Sequence, residues 1–579
     1  MKNRMKTSEV SQNSNAEQRY FEAFIIALLF GLGTYHAILY FGHKLVPNSD
    51  FPTFINVGHE LLSLQLPTNY KRGPVVGLLQ AGLSYLVGGQ HSGLTAGWLL
   101  NAILHPCTIV LLWLVGKRII GRTALWFAII AAINPAVLIM LTEPIAETTL
   151  LFFILLTFYF IFRRSPWSYL FASITTMVRY EGAALILAAF VIDMITCENK
   201  TQRIRAFLYA AAATLPLAIW MLGTIINWHS QGSTHYLMQG ADAPEIKKLY
   251  RFMNAMLTTG SYDLFRSKFI SSEGIANGLK LLVASSFSFG VFYGLIKRQW
   301  NMLALLIFLG CYTVIHAKYS RVLMRHYTAV QWMVLLISLY GLKSGWHLIQ
   351  KEGSIPESIV RVLEGILFIL AAASLIHLLT YLPTLDPISA RSSSVPYVAS
   401  AIIATILVVR LFLYKAKYAW PGLAISSFMC VIVVCNQFAL ARIMGNGQRD
   451  LEFKHLANWY LENTDQSEKL LTTMPSIVAI FAPECEDSFV ATSTIKARSP
   501  ADFVAGGYEN NITYVAWDSR IGLRNPSHGY YKRWGVKNID MLAKPETTGP
   551  YEFITQIRVN ERQFINVFRL TRTTSASFA

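Results

Sequence analysis

Residues 143–182 read EPIAETTLLFFILLTFYFIFRRSPWSYLFASITTMVRYEG, and the placement of charge in this stretch decides the fold class. Glu143 and Glu147 precede an apolar run at 148–162, Arg163 and Arg164 close it, and a second apolar run at 167–178 ends in Arg179-Tyr180-Glu181-Gly182. A third run follows at 183–197. In the first two of these runs charge sits only at the ends. One end carries acids and the other a pair of arginines. With their flanks such segments can cross a hydrocarbon layer about 30 Å thick. The basic pair fixes orientation, because cytoplasmic loops collect Lys and Arg.

The rest of the chain agrees. Of 579 residues, 53% are hydrophobic and 14% charged, where soluble domains carry about 25% charged residues. Mean hydropathy is +0.40. These values point to a polytopic membrane protein. The formal net charge of +17 falls mostly in short loops between apolar runs. No basic–aromatic repeat or RNA-binding signature accompanies it, so nucleic acid is not an expected partner. Of the six cysteines only Cys485 lies in polar sequence, and no CxxC pair occurs. Neither a zinc site nor a disulfide framework is indicated. Lys2, Arg4, Lys6 and Arg19 precede an apolar run at 21–41 that lacks a small-residue cleavage site, which reads as an uncleaved first helix.

Apolar runs near 21–41, 94–116, 124–141, 148–162, 167–178, 183–197, 206–226, 277–296, 302–316, 327–343, 360–380, 395–413 and 420–440 give about thirteen expected transmembrane helices. Lys117, Arg118, Arg122, Arg163, Arg164, Lys200, Arg203, Arg205, Lys297, Arg298, Lys415 and Lys417 fall on one side if residues 1–20 form a cytoplasmic tail. The run at 74–89, bounded by Gly73-Pro74 and Gly88-Gly89, reads as interfacial or re-entrant. The expected organisation is a membrane core at 21–345 with exterior loops 43–93 and 227–275, further spans over 346–444, and an exterior soluble domain at 445–579. That last domain has helical periodicity at 451–462, β-like runs at 488–494 and 512–517, and a hairpin pattern at 552–558 and 563–570, so a small α/β or α+β fold is expected. No internal repeat is visible, which weighs against an inverted-repeat transporter.

Ionisable groups beside hydrocarbon are costly and are functional candidates by default. Asp50 follows the first span and precedes Phe51-Pro52. Two readings are open there: Ser49 or Asp50 caps the next helix, or Asp50 is a carboxylate able to take a proton from an acceptor. Glu143 and Glu147 sit four apart around Pro144, so on one helix they would share a face; capping by the helix dipole is the plainer alternative. Arg179 and Glu181 could pair within their turn. Lys71 and Arg72 stand where the inside bias would not place them, and Lys318, Arg321, Arg325 and His326 form a second exterior cationic cluster. The i, i+4 spacing of Arg321 and Arg325 lets both forks serve one anionic group, such as a phosphate at headgroup level; ordinary anionic lipid heads would suit them as well.

The order of these features resembles the GT-C membrane glycosyltransferases, which include the protein O-mannosyltransferases and the bacterial aminoarabinose transferases. The features are an aspartate after the first helix, a Tyr70–Pro74 loop, acids at the fourth helix, an Arg-Tyr-Glu-Gly turn and a late Arg cluster, spread over residues 20–345. The resemblance implies that Asp50 is the general base and that Glu143 or Glu147 supplies a second acid. It implies a polyprenyl-phosphate-sugar donor held by Tyr70, Lys71, Arg72, Arg179, Tyr180, Glu181, Lys318, Arg321, Arg325 and His326. The acceptor would be a lipid, a glycan or a protein. Only Ser49 precedes Asp50, so the first loop has no acidic pair, and a divalent metal requirement is left open. His59 and Glu60 follow without ligand spacing. The expected activity is inverting sugar transfer at the exterior face of a bacterial inner membrane, in contact with membrane lipid. The alternative is a transporter or flippase of a lipid-linked saccharide, which would place charge at mid-span rather than at one face.

Overall fold

The computed structural model describes residues 2–352 apart from 71, 90, 133, 232–272 and 318–323, and residues 447–571 apart from 448, 496, 498, 520–540 and 562. The expected spans at 360–380, 395–413 and 420–440 lie outside the described residues, as do Lys71, Lys318 and Arg321. The chain divides into two compact units: residues 1–43, 53–87 and 93–444 form the first, and residues 44–52, 88–92 and 445–579 the second.

The first unit is helical. In chain order its described helices are α1 (Lys2–Tyr40), α2 (Phe51–Leu62), α3 (Pro74–Val87), α4 (Ser92–Ile120), α5 (Ala124–Ala132), α6 (Pro135–Thr142), α7 (Ala146–Phe162), α8 (Trp167–Val178), α9 (Ala183–Thr196), α10 (Lys200–Gln231), α11 (Glu273–Ile296), α12 (Trp300–Ala317) and α13 (Met324–Glu352). Gln18–Tyr40, Ser92–Ala132 and Lys200–Ile226 are long and apolar enough to cross a membrane. Pro74–Val87, Ala146–Phe162, Val283–Ile296 and Trp300–His316 are shorter apolar helices. This is an integral membrane protein. Its packed interior includes Phe127, Phe158, Phe308 and Tyr312, all fully buried, with Phe158 edge-on to Phe308 and to Trp332. Such ring pairs add roughly 0.5–1.5 kcal/mol each beyond the area they bury.

Two proline-marked breaks shape this unit. The run expected to span 124–141 as one helix is divided at Asn134-Pro135. Pro135 disfavours helical geometry in the residue before it, and Asn134 is extended (φ −63°, ψ 122°) and accepts a hydrogen bond from Ala136 N at 2.9 Å as the cap of α6. The second break is at Glu143-Pro144-Ile145, where Glu143 is again extended (φ −100°, ψ 119°). Carbonyls freed at such a break need partners in an apolar layer. Asn101 of α4 donates Nδ2 to Glu143 O at 2.6 Å and to Leu141 O at 3.2 Å, and Gln80 of α3 donates Nε2 to Pro144 O at 2.9 Å.

The second unit is built on one five-stranded sheet of order β2-β1-β3-β5-β4. Its strands are β1 (Lys469–Thr472), β2 (Phe489–Ala491), β3 (Ile512–Asp518), β4 (Tyr551–Asn560) and β5 (Gln563–Leu570). β1 runs parallel to both β2 and β3, while β5 is antiparallel to β3 and β4. The helices α14 (Leu451–Asn463), α15 (Pro475–Phe481) and α16 (Pro500–Glu509) cover it. Trp459 of α14 packs edge-on to Tyr514, and α15 packs on α14, so both lie on the Tyr514 face. Phe503 of α16 joins Leu471, Val515 and Trp517 in the core of the opposite face. α16 starts with a reciprocal box in which Ser499 and Asp502 each accept the other's backbone N–H, an arrangement in which the cap alone contributes about 1 kcal/mol. A small mixed sheet near the C-terminus of a mostly helical chain is the expected fold class; the number of spans stays an expectation.

Candidate active site

The Arg-Tyr-Glu-Gly turn is a short 3-10 segment, Tyr180–Gly182, wedged between α8 and α9. Arg179 is extended (φ −151°, ψ 139°) and directs its guanidinium into the first unit, where its side chain is 10% exposed. There it meets two carboxylates. Nη1 donates to Glu147 Oε1 at 3.0 Å, Nη2 to Glu181 Oε1 at 2.9 Å, and Nε to Glu181 Oε2 at 3.4 Å. The planar fork matches a carboxylate edge, which makes this bidentate pair a strong one. His316 Nε2, at the end of α12, lies 3.3 Å from Glu181 Oε1. His316 stacks on His326 of α13 with ring centroids 4.9 Å apart, and Tyr312 OH donates to His326 O at 2.7 Å. Four chain segments therefore converge on one ionic set.

A second cluster forms around the Tyr70–Gly73 loop. Tyr180 OH donates to Tyr70 O at 2.8 Å, and Trp220 Nε1 of α10 donates to Tyr180 OH at 3.1 Å. The Tyr70 and Trp220 rings lie 4.8 Å apart. The Arg72 guanidinium sits over the Phe54 ring at 5.6 Å. A Cβ on Gly73 would come within 2.0 Å of Met177 O, so only glycine lets this loop press against the end of α8. Burial, with the Glu60 carboxylate as a second cause, raises the Tyr70 phenol above its ordinary pKa. Tyr70 thus stays a hydrogen-bond donor at neutral pH. Glu60 accepts from both Thr68 N at 3.1 Å and Thr68 Oγ1 at 2.6 Å, and His59 meets the Tyr85 ring edge-on.

The structure thus brings Glu147, Arg179, Glu181 and His326 together, and separately Tyr70, Arg72 and Tyr180. It does not place Glu143 and Glu147 on one helical face: Glu143 ends α6, Glu147 opens α7, and Pro144 between them prevents a continuous helix. Asp50 belongs to the second unit. Its backbone N–H donates to Asn48 Oδ1 at 3.1 Å and Phe51 N donates to Asn48 O at 2.9 Å, so Asn48 shapes the turn into α2. Lys71, Lys318 and Arg321 lie outside the described residues. The backbone of Arg325 is in the first turn of α13, and its side chain is outside what is described. Among the described residues no three His, Cys, Asp or Glu side chains gather as a metal site. Sequence reasoning missed His316 and Trp220. Each sits inside an apolar run, and a lone ionisable His in a span was the available signal for the first.

Solved structures share this fold. ArnT from Cupriavidus metallidurans in the apo state superimposes with TM-score 0.52 at 11% identity, covering 97% of this chain and 100% of that one. Its crystal structure bound to undecaprenyl phosphate gives TM-score 0.51 at 12% identity, covering 95% and 99%. The apo oligosaccharyltransferase of Archaeoglobus fulgidus gives TM-score 0.49 at 11% identity, covering 89% and 71%. No protein-family model matches the sequence, and no curated protein sequence matches it significantly.

Proposed function

We propose that this protein transfers a sugar from a polyprenyl-phosphate donor to a lipid, glycan or protein acceptor at the exterior face of the membrane. The observation that carries the reading is the fold, shared over 95% of the chain with a crystal structure of ArnT bound to undecaprenyl phosphate. Asp50 takes the proton from the acceptor hydroxyl or amine. The acceptor atom bonds to the anomeric carbon while the bond from that carbon to the phosphate oxygen breaks, and the electron pair leaves with the lipid phosphate. In-line displacement inverts the anomeric centre. Arg72, with Lys71, Lys318, Arg321, Arg325 and His326, neutralises the leaving phosphate. Glu143 or Glu147 supplies the second acid, and Arg179 holds Glu147 in place. The Arg179–Glu181 pair and Tyr180 hold the loop that carries Tyr70 and Arg72.

Purified protein in liposomes, given a polyprenyl-phosphate sugar and acceptor, tests this directly. Asp50→Asn should leave thermal stability unchanged and lower turnover by about a hundredfold or more. Turnover near the wild-type value in that variant would remove Asp50 as the base. We also place residues 1–20 in the cytoplasm and 445–579 outside. Reporter fusions after residues 120 and 460 should then report opposite sides, and agreement between them would overturn the placement.

A further inference from the structure

The sheet of the second unit has a topology with its own consequence. β1 lies between β2 and β3, all three parallel. The chain leaves β1 into α15 on the Tyr514 face and leaves β2 toward α16 on the Val515 face. Connections that diverge to opposite faces open a crevice at the carboxyl ends of the strands, the general location of ligands in sheets of this kind.

The residues at that edge are polar. β1 ends in Thr472-Thr473, β2 runs into Thr492, and β3 ends in Asp518-Ser519. Thr472 pairs with Ala491, so continuing the register by one residue sets Thr473 beside Thr492. Thr473 Oγ1 donates to Asp518 Oδ2, which ties the ends of β1 and β3 together. Ser519 Oγ accepts from Phe564 N at 3.1 Å. The hydroxyls of Thr472 and Thr492, 0% and 1% exposed, have no hydrogen-bond partner. An enclosed hydroxyl left unpaired costs about 1–3 kcal/mol. Two of them, near the carboxyl ends of the adjacent strands β1 and β2, call for a reason beyond packing, since valine would fill each position without that cost.

We propose that the carboxyl edge of β1, β2 and β3 is a binding site for a saccharide. Hydroxyl groups both donate and accept, as do the unpaired threonine hydroxyls. The Asp518 carboxylate accepts from sugar hydroxyls and repels phosphate. The site is independent of the transfer chemistry proposed above, because Asp518 and the threonines have no part in it. Free sugar and the glycan portion of an acceptor present the same chemistry, and the experiment separates them.

The test uses the full-length protein in amphipol, since a maltoside detergent is itself a saccharide. Saturation-transfer difference NMR with glucose, galactose, mannose and N-acetylglucosamine should show contact with at least one sugar. Thr472→Val and Thr492→Val should each weaken that contact about tenfold, or about 1.4 kcal/mol, and Asp518→Asn should weaken it further. Asp50→Asn should leave it unchanged. Contact from the free monosaccharides identifies the sugar itself as sufficient, whereas contact seen only with a lipid-linked or oligomeric glycan assigns the site to an acceptor. No contact with any of these probes would overturn the proposal, as would contact that survives both threonine variants or is lost in Asp50→Asn. Binding of ethanolamine or inorganic phosphate in place of sugar would overturn the ligand class. If Asp518→Asn does not fold, the two threonine variants carry the result.

Discussion

The ionic set around Arg179 and the sheet edge around Thr472 handle buried polarity in opposite ways. Around Arg179 each guanidinium nitrogen has a carboxylate oxygen within 3.4 Å, and the partners come from a helix start, at Glu147, and a turn, at Glu181. At the sheet edge, two enclosed hydroxyls have nothing to bond. Pairing of that kind specifies structure, because every member is needed by another. Unpaired hydroxyls are a standing cost that only an added partner relieves. The contrast predicts that the same kind of change, deleting a buried polar group in favour of an apolar one, has opposite signs in the two places.

The largest effect should come from Arg179. Arg179→Met leaves Glu147 and Glu181 facing each other without their cation, and breaking a buried pair costs about 3–5 kcal/mol. A clear fall in the melting temperature of the detergent-solubilised protein, with aggregation on size exclusion, is the expected outcome. Arg179→Lys keeps a charge but cannot make the bidentate contact, so its melting temperature should lie between those of Arg179→Met and wild type. If methionine is tolerated as well as lysine, the set is not held by its charges and the comparison fails at its stronger end.

Much of this was legible in the sequence, for physical reasons that differ by element. Arg179 and Glu181 stand out because they interrupt two apolar runs with a turn ending in Gly182, and the turn is found where the interruption predicts it. The hairpin of β4 and β5 was visible from alternation and β-branched residues. Other features required geometry. Glu143 and Glu147 have helical spacing, yet Pro144 holds Glu143 in an extended conformation, so local chemistry overrode periodicity. β1 has four residues, too short to announce itself as a strand. The partnership of Glu181 with His316, and of Tyr70 with Tyr180 and Trp220, joins segments more than a hundred residues apart in the chain. Nothing in local pattern encodes such contacts; packing of the helices decides them.

The smallest effect is the most diagnostic. Thr472→Val replaces a hydroxyl by a methyl at nearly constant volume in a residue with no exposed surface. Where that hydroxyl had a partner, its loss would destabilise the protein by about 0.5–1.5 kcal/mol. Here the donor and acceptor are already unsatisfied, so the substitution removes a desolvation cost and should leave stability unchanged or raise it by up to roughly 1 kcal/mol. Thermal unfolding of the full-length variant beside wild type, both without added sugar, measures the sign. A drop of about 1 kcal/mol or more would mean that Thr472 is paired in solution, and the sheet edge would then resemble the Arg179 set. A rise or no change, together with weaker sugar contact, is the pattern expected when a site keeps an unpaired group for its ligand at the expense of stability.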